Sequence, residues 1–115
     1  MKIELTRYPV KPGKSQTVRE WMDFLNQNME AVTETLVGEK MYVETIFSET
    51  VGETEYLYWY SVQGEGGTAV EESDHWIDHA HLRFWEECID DSEPPVDLIQ
   101  EVVMIPEPVR ASMKE

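Results

Sequence analysis

The chain has 115 residues, 41% of them hydrophobic and 10% aromatic, so it is long enough for one domain with a buried core and too short for two. Its formal net charge of −15, from 24 acidic residues against 9 lysines and arginines, repels phosphate backbones and anionic lipid surfaces. We therefore expect neither nucleic acid nor a membrane surface as a partner.

The sequence predicts neither a membrane span nor a secretion signal. It contains no run of about 18 apolar residues, and residues 1–10 alternate like a strand, without the apolar centre of a signal peptide. We therefore expect a cytoplasmic protein. Cys88 is the only cysteine, which leaves no partner for an intrachain disulfide or a thiolate metal cluster and predicts a packed, unreactive thiol.

The first two predicted elements are a strand and a long helix. Residues 2–9 alternate between apolar and polar, and Pro12 and Gly13 then break the chain before Ser15, a suitable helix cap. Apolar residues follow every three or four positions, which predicts a single helix that ends at Gly38. This apolar stripe consists of Val18, Met22, Leu25, Met29, Val32 and Leu36.

The second half of the chain predicts a hairpin, a helix and a last strand. Two segments rich in β-branched and aromatic residues, 41–50 and 54–63, flank a short turn that contains glycine, which is typical of a β-hairpin. A helix is predicted over residues 73–89. Two prolines stop it before a fourth strand over residues 96–105.

The element order β-α-β-β-α-β predicts an α+β protein of the ferredoxin-like class, with two helices on one face of a four-stranded antiparallel sheet. Residues 1–106 form one domain in this interpretation, and residues 107–115 form a short C-terminal tail.

Both faces of the predicted sheet are apolar. The third strand places Tyr56, Tyr58 and Tyr60 on one side and Leu57 and Trp59 on the other. Two helices cover only one face, and exposing a large side chain costs about 1.5 to 3 kcal/mol. The preferred interpretation is a homodimer formed sheet to sheet. The alternative is a partly solvated face with the C-terminal tail folded across it.

His81 is the leading candidate for a catalytic or binding residue. It shares a helical stripe with Phe84 and Cys88, which predicts that it faces the core. Asp78 lies one turn earlier and is placed to orient the imidazole, as a general base requires. The alternative is a core histidine that is satisfied by a hydroxyl or carbonyl group.

His75 and His79 have the spacing of two metal ligands on a helix. A metal site needs further ligands, and residue 76 is a tryptophan where the zinc-protease pattern has glutamate. A solvated polar face is therefore the favoured interpretation, and a metal site is the alternative.

Three carboxylates, Glu4, Glu44 and Glu101, occur inside strand patterns. Buried carboxylates need partners or protons. They therefore either contribute to a polar pocket or project from the sheet edges into water.

With this layout in hand, the segments that resemble a known family are TRYPVKPGK, MYVETIF, YLYWYSVQGEGG and HWIDHAHLRFWEECID. They resemble a small domain-of-unknown-function family within the dimeric α+β barrel superfamily. More distantly, the chain is similar to antibiotic-biosynthesis-type monooxygenases and their haem-degrading relatives. This similarity lies in strand one followed by KPGK and a long helix, and in a late helix that contains the step Ala80, His81, Leu82. The resemblance implies a homodimer with a pocket in each subunit that His81 lines. The asparagine on which the haem degraders rely in strand one is absent here, where Thr6 and Arg7 stand.

The expected function is small-molecule binding, with a cofactor-independent, monooxygenase-like reaction on an aromatic or apolar substrate as its possible extension. His81 is the base or hydrogen-bonding group and Asp78 its partner. The predicted ligand-binding residues are Tyr58, Trp59, Trp76 and Glu44. The alternative is a non-catalytic dimerisation or regulatory module without a ligand. No cofactor is predicted, and the sequence does not specify whether the protein is an enzyme.

Overall fold

A computed structural model of the chain describes residues 1–113. Its strands are β1 (Lys2–Pro9), β2 (Met41–Val51), β3 (Thr54–Gln63) and β4 (Val96–Asp97). Its helices are α1 (Ser15–Gln27), α2 (Met29–Gly38), α3 (Trp76–Cys88) and α4 (Glu107–Ser112). The strands form one antiparallel sheet in the order β2-β3-β1-β4. The predicted α+β class is confirmed.

The core lies between one face of the sheet and the helices α1 and α3. Val18 and Trp21 from α1, Leu57 from β3 and Cys88 from α3 are fully buried there. A backbone hydrogen bond from the Lys11 N–H to the Cys88 carbonyl, at 2.8 Å, ties the end of α3 to the chain just after β1. Because the thiol of Cys88 is buried, its pKa is raised, and the prediction of a packed thiol is confirmed.

The single long helix predicted over the first apolar stripe is two helices in the structure. The chain leaves helical geometry at Asn28, between α1 and α2, where φ is −118° and ψ is 31°. The Asn28 side-chain amide donates to the Phe24 carbonyl at 2.8 Å. Asparagine side chains compete for backbone hydrogen bonds in this way, so the break has a local cause that apolar periodicity does not reveal.

The predicted hairpin is confirmed, with Val51 paired to Thr54 across a two-residue turn. Gly52 adopts a φ of +62° in this turn, a conformation that glycine adopts without strain. The predicted helix over 73–89 is shorter at both ends, since α3 covers Trp76–Cys88 and a 3-10 turn covers Val70–Glu72.

The last predicted strand is mostly unpaired. Of residues 96–105 only Val96 and Asp97 pair with β1, and one more hydrogen bond joins Leu98 to Leu5. Residues 98–105, which we call the C-terminal arm, continue past the sheet without a strand partner among residues 1–113, and all but Ile105 are exposed. The apolar side chains of the arm are therefore left largely uncovered within residues 1–113.

The second face of the sheet is not covered by α1 to α3. Phe47 on β2 is 58% exposed, and Tyr56, Tyr58 and Tyr60 on β3 are half-buried. The predicted tail over 107–115 contains α4, and its last two residues lie outside the described part of the chain. Within residues 1–113 no helix has the length and apolar character to cross a membrane.

Candidate functional site

A pocket of about 490 Å³ lies on the helix-covered face of the sheet, next to α2 and α3. Its apolar wall includes Leu25, Val32, Leu36, Ile46, Ile77 and Leu82. Its aromatic wall consists of Tyr8, Trp59 and Trp85, and its polar groups include Glu39, Glu44, Glu71, Asp78 and His81. The volume lies within the range of about 300 to 1,000 Å³ that is typical of small-molecule sites.

His81 is held by Trp21 from the opposite helix. The indole Nε1 of Trp21 donates to Nδ1 of His81 at 3.0 Å. Nδ1 is therefore an acceptor, and the proton of the neutral ring lies on Nε2. Burial lowers the pKa of His81, and the nearby Asp78 opposes this only in part. The imidazole is thus neutral near pH 7, as a hydrogen-bond donor at Nε2.

An aromatic cluster fixes the position of Trp21. Its ring stacks on Phe84 at 6.2 Å between centroids, and it contacts Trp59 at 5.7 Å and Trp85 at 6.0 Å. The Trp21 side chain is fully buried. Its indole N–H has His81 as partner in that setting, which a buried tryptophan requires. The Trp21–His81 pair therefore links the core to the pocket.

Asp78 is a buried carboxylate without a complete set of partners. Only 6% of the residue is exposed, and its Oδ2 atom is buried with no hydrogen-bond partner among residues 1–113. Leaving a buried polar atom unpaired costs about 1 to 3 kcal/mol, and more for a charged group. The orienting role that the sequence assigns to Asp78 falls to Trp21 in the structure. Asp78 instead presents an unpaired oxygen beside the pocket.

Two glutamates at the pocket share this acidic environment. Partial burial raises the pKa of Glu39 to about 7, with further contributions from the charges of Asp78 and Glu44. The pKa of Glu44 is also raised, first by desolvation. Glu44 itself is an exposed residue at the rim, and its carboxylate accepts from the indole N–H of Trp59 at 3.1 Å.

The glycine loop after β3 packs directly on Glu39. A Cβ atom on Gly67 would lie 2.0 Å from the Glu39 carbonyl oxygen, so only glycine allows this approach. Backbone hydrogen bonds from Gly64 to Lys40 and from Thr68 to Gly38 hold the loop in place. The loop therefore fixes the turn from α2 into β2, where Glu39 enters the pocket.

The structure brings together only part of the predicted site. His81, Asp78, Trp59 and Glu44 all line the pocket. Tyr58 projects from the other face of the sheet, where its hydroxyl donates to Glu49. Trp76 is 55% exposed, packs on Phe24 and is not among the lining residues.

Two residues of the site had no functional assignment from the sequence. Trp21 was recognisable only as an apolar helix position, since its partner is 60 residues away. Glu39 follows Gly38 at a predicted helix end, where a carboxylate is unremarkable, and only the packing of the 64–68 loop gives it a special environment.

His75 and His79 make local contacts at the start of α3. Nδ1 of His75 accepts from the backbone N–H of Ile77 at 3.2 Å and caps the helix. The ring of His79 contacts the Ser73 carbonyl oxygen through Nε2 at 2.9 Å. Among residues 1–113 no three histidine, cysteine or acidic side chains are grouped to hold a metal ion.

The fold and the pocket define a small α+β protein with an acidic, aromatic site on the helix-covered face of its sheet. A family model described as a family of unknown function (DUF6176) matches residues 1–111. The chain therefore belongs to this family. No curated protein and no solved structure matches the chain.

Proposed function

We propose that the protein is a homodimer that binds a small molecule in the pocket beside His81. One observation carries the proposal: a space of about 490 Å³ adjoins a histidine, a buried carboxylate and an aromatic wall within a single subunit. A module that served only for dimerisation would pack this region solidly. The open space favours binding over that alternative.

The proposed architecture is ferredoxin-like, with two sheets closing a dimeric α+β barrel. The strand order β2-β3-β1-β4 and the packing of α1 and α3 on one face support it. We call the face of the sheet that carries Phe47 and Tyr58 the bare face, because α1 to α3 do not cover it. The exposure of large apolar side chains on this face and in the C-terminal arm supports a second copy of the chain as their partner. Between 58% and 84% of each of these residues is exposed: Phe47, Ile99, Val102 and Met104. Apolar surface on this scale is typical of protein interfaces.

The proposed role of His81 is to donate a hydrogen bond to the ligand through Nε2. A base needs an unprotonated nitrogen, and Nδ1 is already occupied by the Trp21 N–H at 3.0 Å. Proton uptake at Nε2 would require the proton to move to Nδ1 and would break this contact. The monooxygenase-like reaction stays a prediction from the family resemblance, and the function proposed for the pocket is ligand binding.

A thermal-shift screen of a chemically mixed small-molecule library tests the proposal. Wild type is compared with His81→Ala and with His79→Ala, a matched control because His79 is exposed on the same helix. A second pair consists of Leu36→Trp, which fills the pocket, and Val37→Trp, on the exposed side of α2. Ligands that bind the folded state raise its melting temperature.

We expect ligands that stabilise wild type and both controls, and that lose this effect with Leu36→Trp and most of it with His81→Ala. Ligands that stabilise wild type and all four variants equally would show that they do not bind in the pocket. A library without any hit would favour the dimerisation module.

A further inference from the structure

We infer that the pocket selects a small organic cation, namely a protonated amine on an aromatic body. The ammonium group faces the carboxylates, and the face of the ring accepts the N–H of His81. The inference rests on the proposed function and deepens it, since it names the charge and chemical class of the ligand. The sequence predicts an aromatic or apolar ligand, and the inference adds a positive charge to it.

The unpaired oxygen of Asp78 is the first observation behind this inference. The side chain is more than nine-tenths buried, lines the pocket and leaves Oδ2 without a partner. Glu55 is buried to a similar degree and also leaves one oxygen, Oε1, without a partner, but its Oε2 pairs with the Arg19 guanidinium at 2.7 Å. Arg19 thus supplies a cation to one buried carboxylate, whereas the other, Asp78, lines the pocket without a cationic side chain paired to it among residues 1–113.

The charge of the whole pocket points the same way. Glu39, Glu44 and Glu71 join Asp78 on its walls, and no lysine or arginine is found among the lining residues. Burial raises the pKa of Glu39, and the charges of Asp78, Glu44 and Glu71 raise it further, so each of these three carboxylates lies close enough to repel Glu39. A cation bound between them relieves this repulsion, and an anionic ligand would increase it.

The aromatic wall suits an organic cation rather than a metal ion. Trp59 and Trp85 lie 5.2 Å apart between ring centroids and both line the pocket with Tyr8. Faces of tryptophan and tyrosine attract ammonium groups and also pack against an apolar body. Metal ligands must converge on one point, and no such three-residue group occurs in residues 1–113.

The ammonium group must also donate hydrogen bonds. An unpaired carboxylate oxygen is satisfied by an N–H donor, and a charge-assisted bond of this kind is stronger than a neutral one. A quaternary ammonium ion has no N–H to offer. The geometry therefore favours a protonated amine.

Calorimetric titration of the full chain tests the inference with three probes that share a phenyl body. Phenethylamine is the cation, 2-phenylethanol the neutral probe and 3-phenylpropanoate the anion. The titrations use wild type, Asp78→Asn, Glu44→Gln and Glu93→Gln. The last variant is the matched control, since Glu93 is exposed outside the pocket and its substitution removes the same charge. It accounts for the general attraction of cations to a protein with a net charge of −15.

We expect wild type and Glu93→Gln to bind phenethylamine more tightly than the other two probes. Asp78→Asn should weaken this binding by about tenfold or more, because it removes a charge-assisted hydrogen bond. Glu44→Gln should weaken it by up to about fivefold, because Glu44 lies at the rim of the pocket, where the residue as a whole is exposed and solvent screens part of its charge. Glu44→Gln also keeps an acceptor for Trp59, so it tests the inference even if Asp78→Asn does not fold.

Three outcomes overturn the inference. Tighter binding of the neutral or anionic probe removes the preference for a cation but leaves the proposed ligand site intact. Equal binding of phenethylamine by Glu93→Gln and by both pocket variants reduces the effect to net charge. Failure of all three probes to bind at millimolar concentration also overturns it, and the library screen then decides the proposed function on its own.

Discussion

The two faces of the sheet differ in how their large side chains are covered. On the helix-covered face, Trp21 and Leu57 are fully buried within one subunit. On the bare face Phe47 is 58% exposed, and in the C-terminal arm Met104 is 81% exposed. Burial of such side chains is worth about 1.5 to 3 kcal/mol each, so the first face stabilises the subunit and the second gains most from association. The covered face thus stabilises the subunit, and the other face is the proposed site of assembly.

The covered face is itself divided. The core around Trp21 is formed by fully buried side chains, and the pocket lies beside it, next to α2 and α3, with Trp59 and Trp85 shared by both. The polar groups of the two regions also differ. In the core the Trp21 indole N–H has a hydrogen-bond partner, whereas at the pocket Asp78 Oδ2 has none among residues 1–113. Four predictions sharpen these contrasts, and the largest effect comes first.

Trp21→Ala should lower the free energy of unfolding by about 3 to 5 kcal/mol, because it empties the centre of the core and removes the partner of His81. Chemical denaturation measures the change. The control is Trp76→Ala, since Trp76 is 55% exposed at the start of α3. Equal losses for the two variants would mean that the covered face does not carry the stability.

Phe47→Glu and Met104→Glu should each raise the dimer dissociation constant by about 30-fold or more, because they place a charge in the proposed interface. Sedimentation at micromolar concentration measures the association. Val37→Glu on α2 is the control, since that residue is 77% exposed away from the bare face. A wild-type protein that sediments as a stable monomer would contradict the proposed homodimer.

Gly67→Ala should cost about 1 to 3 kcal/mol of stability, because its Cβ collides with the Glu39 carbonyl oxygen and the loop must shift. The substitution should also lower the affinity of ligands that bind in the pocket, because Glu39 moves with the turn. Denaturation and thermal-shift measurements follow the two effects. Gly38→Ala is the control, because a Cβ there meets nothing within 4 Å. Unchanged stability of Gly67→Ala would show that the loop does not constrain the turn.

Glu39→Gln should change how stability depends on pH. The pKa of Glu39 is about 7 in the folded state, against an ordinary value of 4.5, so the folded state holds this proton more tightly. Its contribution is fully present below the ordinary pKa and is lost as the pH rises through 7. The groups that act on Glu39 are Asp78, Glu44, Glu71 and Thr35.

Compared with wild type, Glu39→Gln should therefore gain relative stability between about pH 5 and about pH 8.5. The gain is only about 1 kcal/mol, since Glu39 is half-exposed and solvent screens its interactions. Denaturation at the two pH values measures it, with Glu93→Gln as the control for removal of a surface charge. A pH dependence identical to that of wild type would show that Glu39 titrates normally.

Local patterns made much of the fold predictable. The hairpin around Gly52 and the stripe that carries His81 depend on residues close together in sequence, and both are present in the structure. The break at Asn28 and the early end of β4 were not predicted. The break at Asn28 results from one side-chain hydrogen bond inside an otherwise regular apolar stripe. The end of β4 depends on how far β1 continues beside it as a pairing partner.

The candidate site was predictable in part for the same reason. His81 and Asp78 are one helical turn apart, and their proximity follows from the period of a helix. The contact between Trp21 and His81 spans 60 residues, and no local pattern encodes it. Tyr58 and Trp59 are neighbours in sequence, yet strand alternation sends them to opposite faces, and the register decides which one reaches the pocket.

The sequence by itself determined the class of fold, the excess of negative charge and the concentration of aromatic residues around His81, because composition and short-range periodicity are sufficient for these. Only the tertiary structure decided that Trp21 fixes the tautomer of His81, that Glu39 joins the acidic wall and that Asp78 Oδ2 lies buried without a partner. Each of these depends on atoms from distant segments meeting at one place, and their burial and pairing are set only when the helices pack on the sheet.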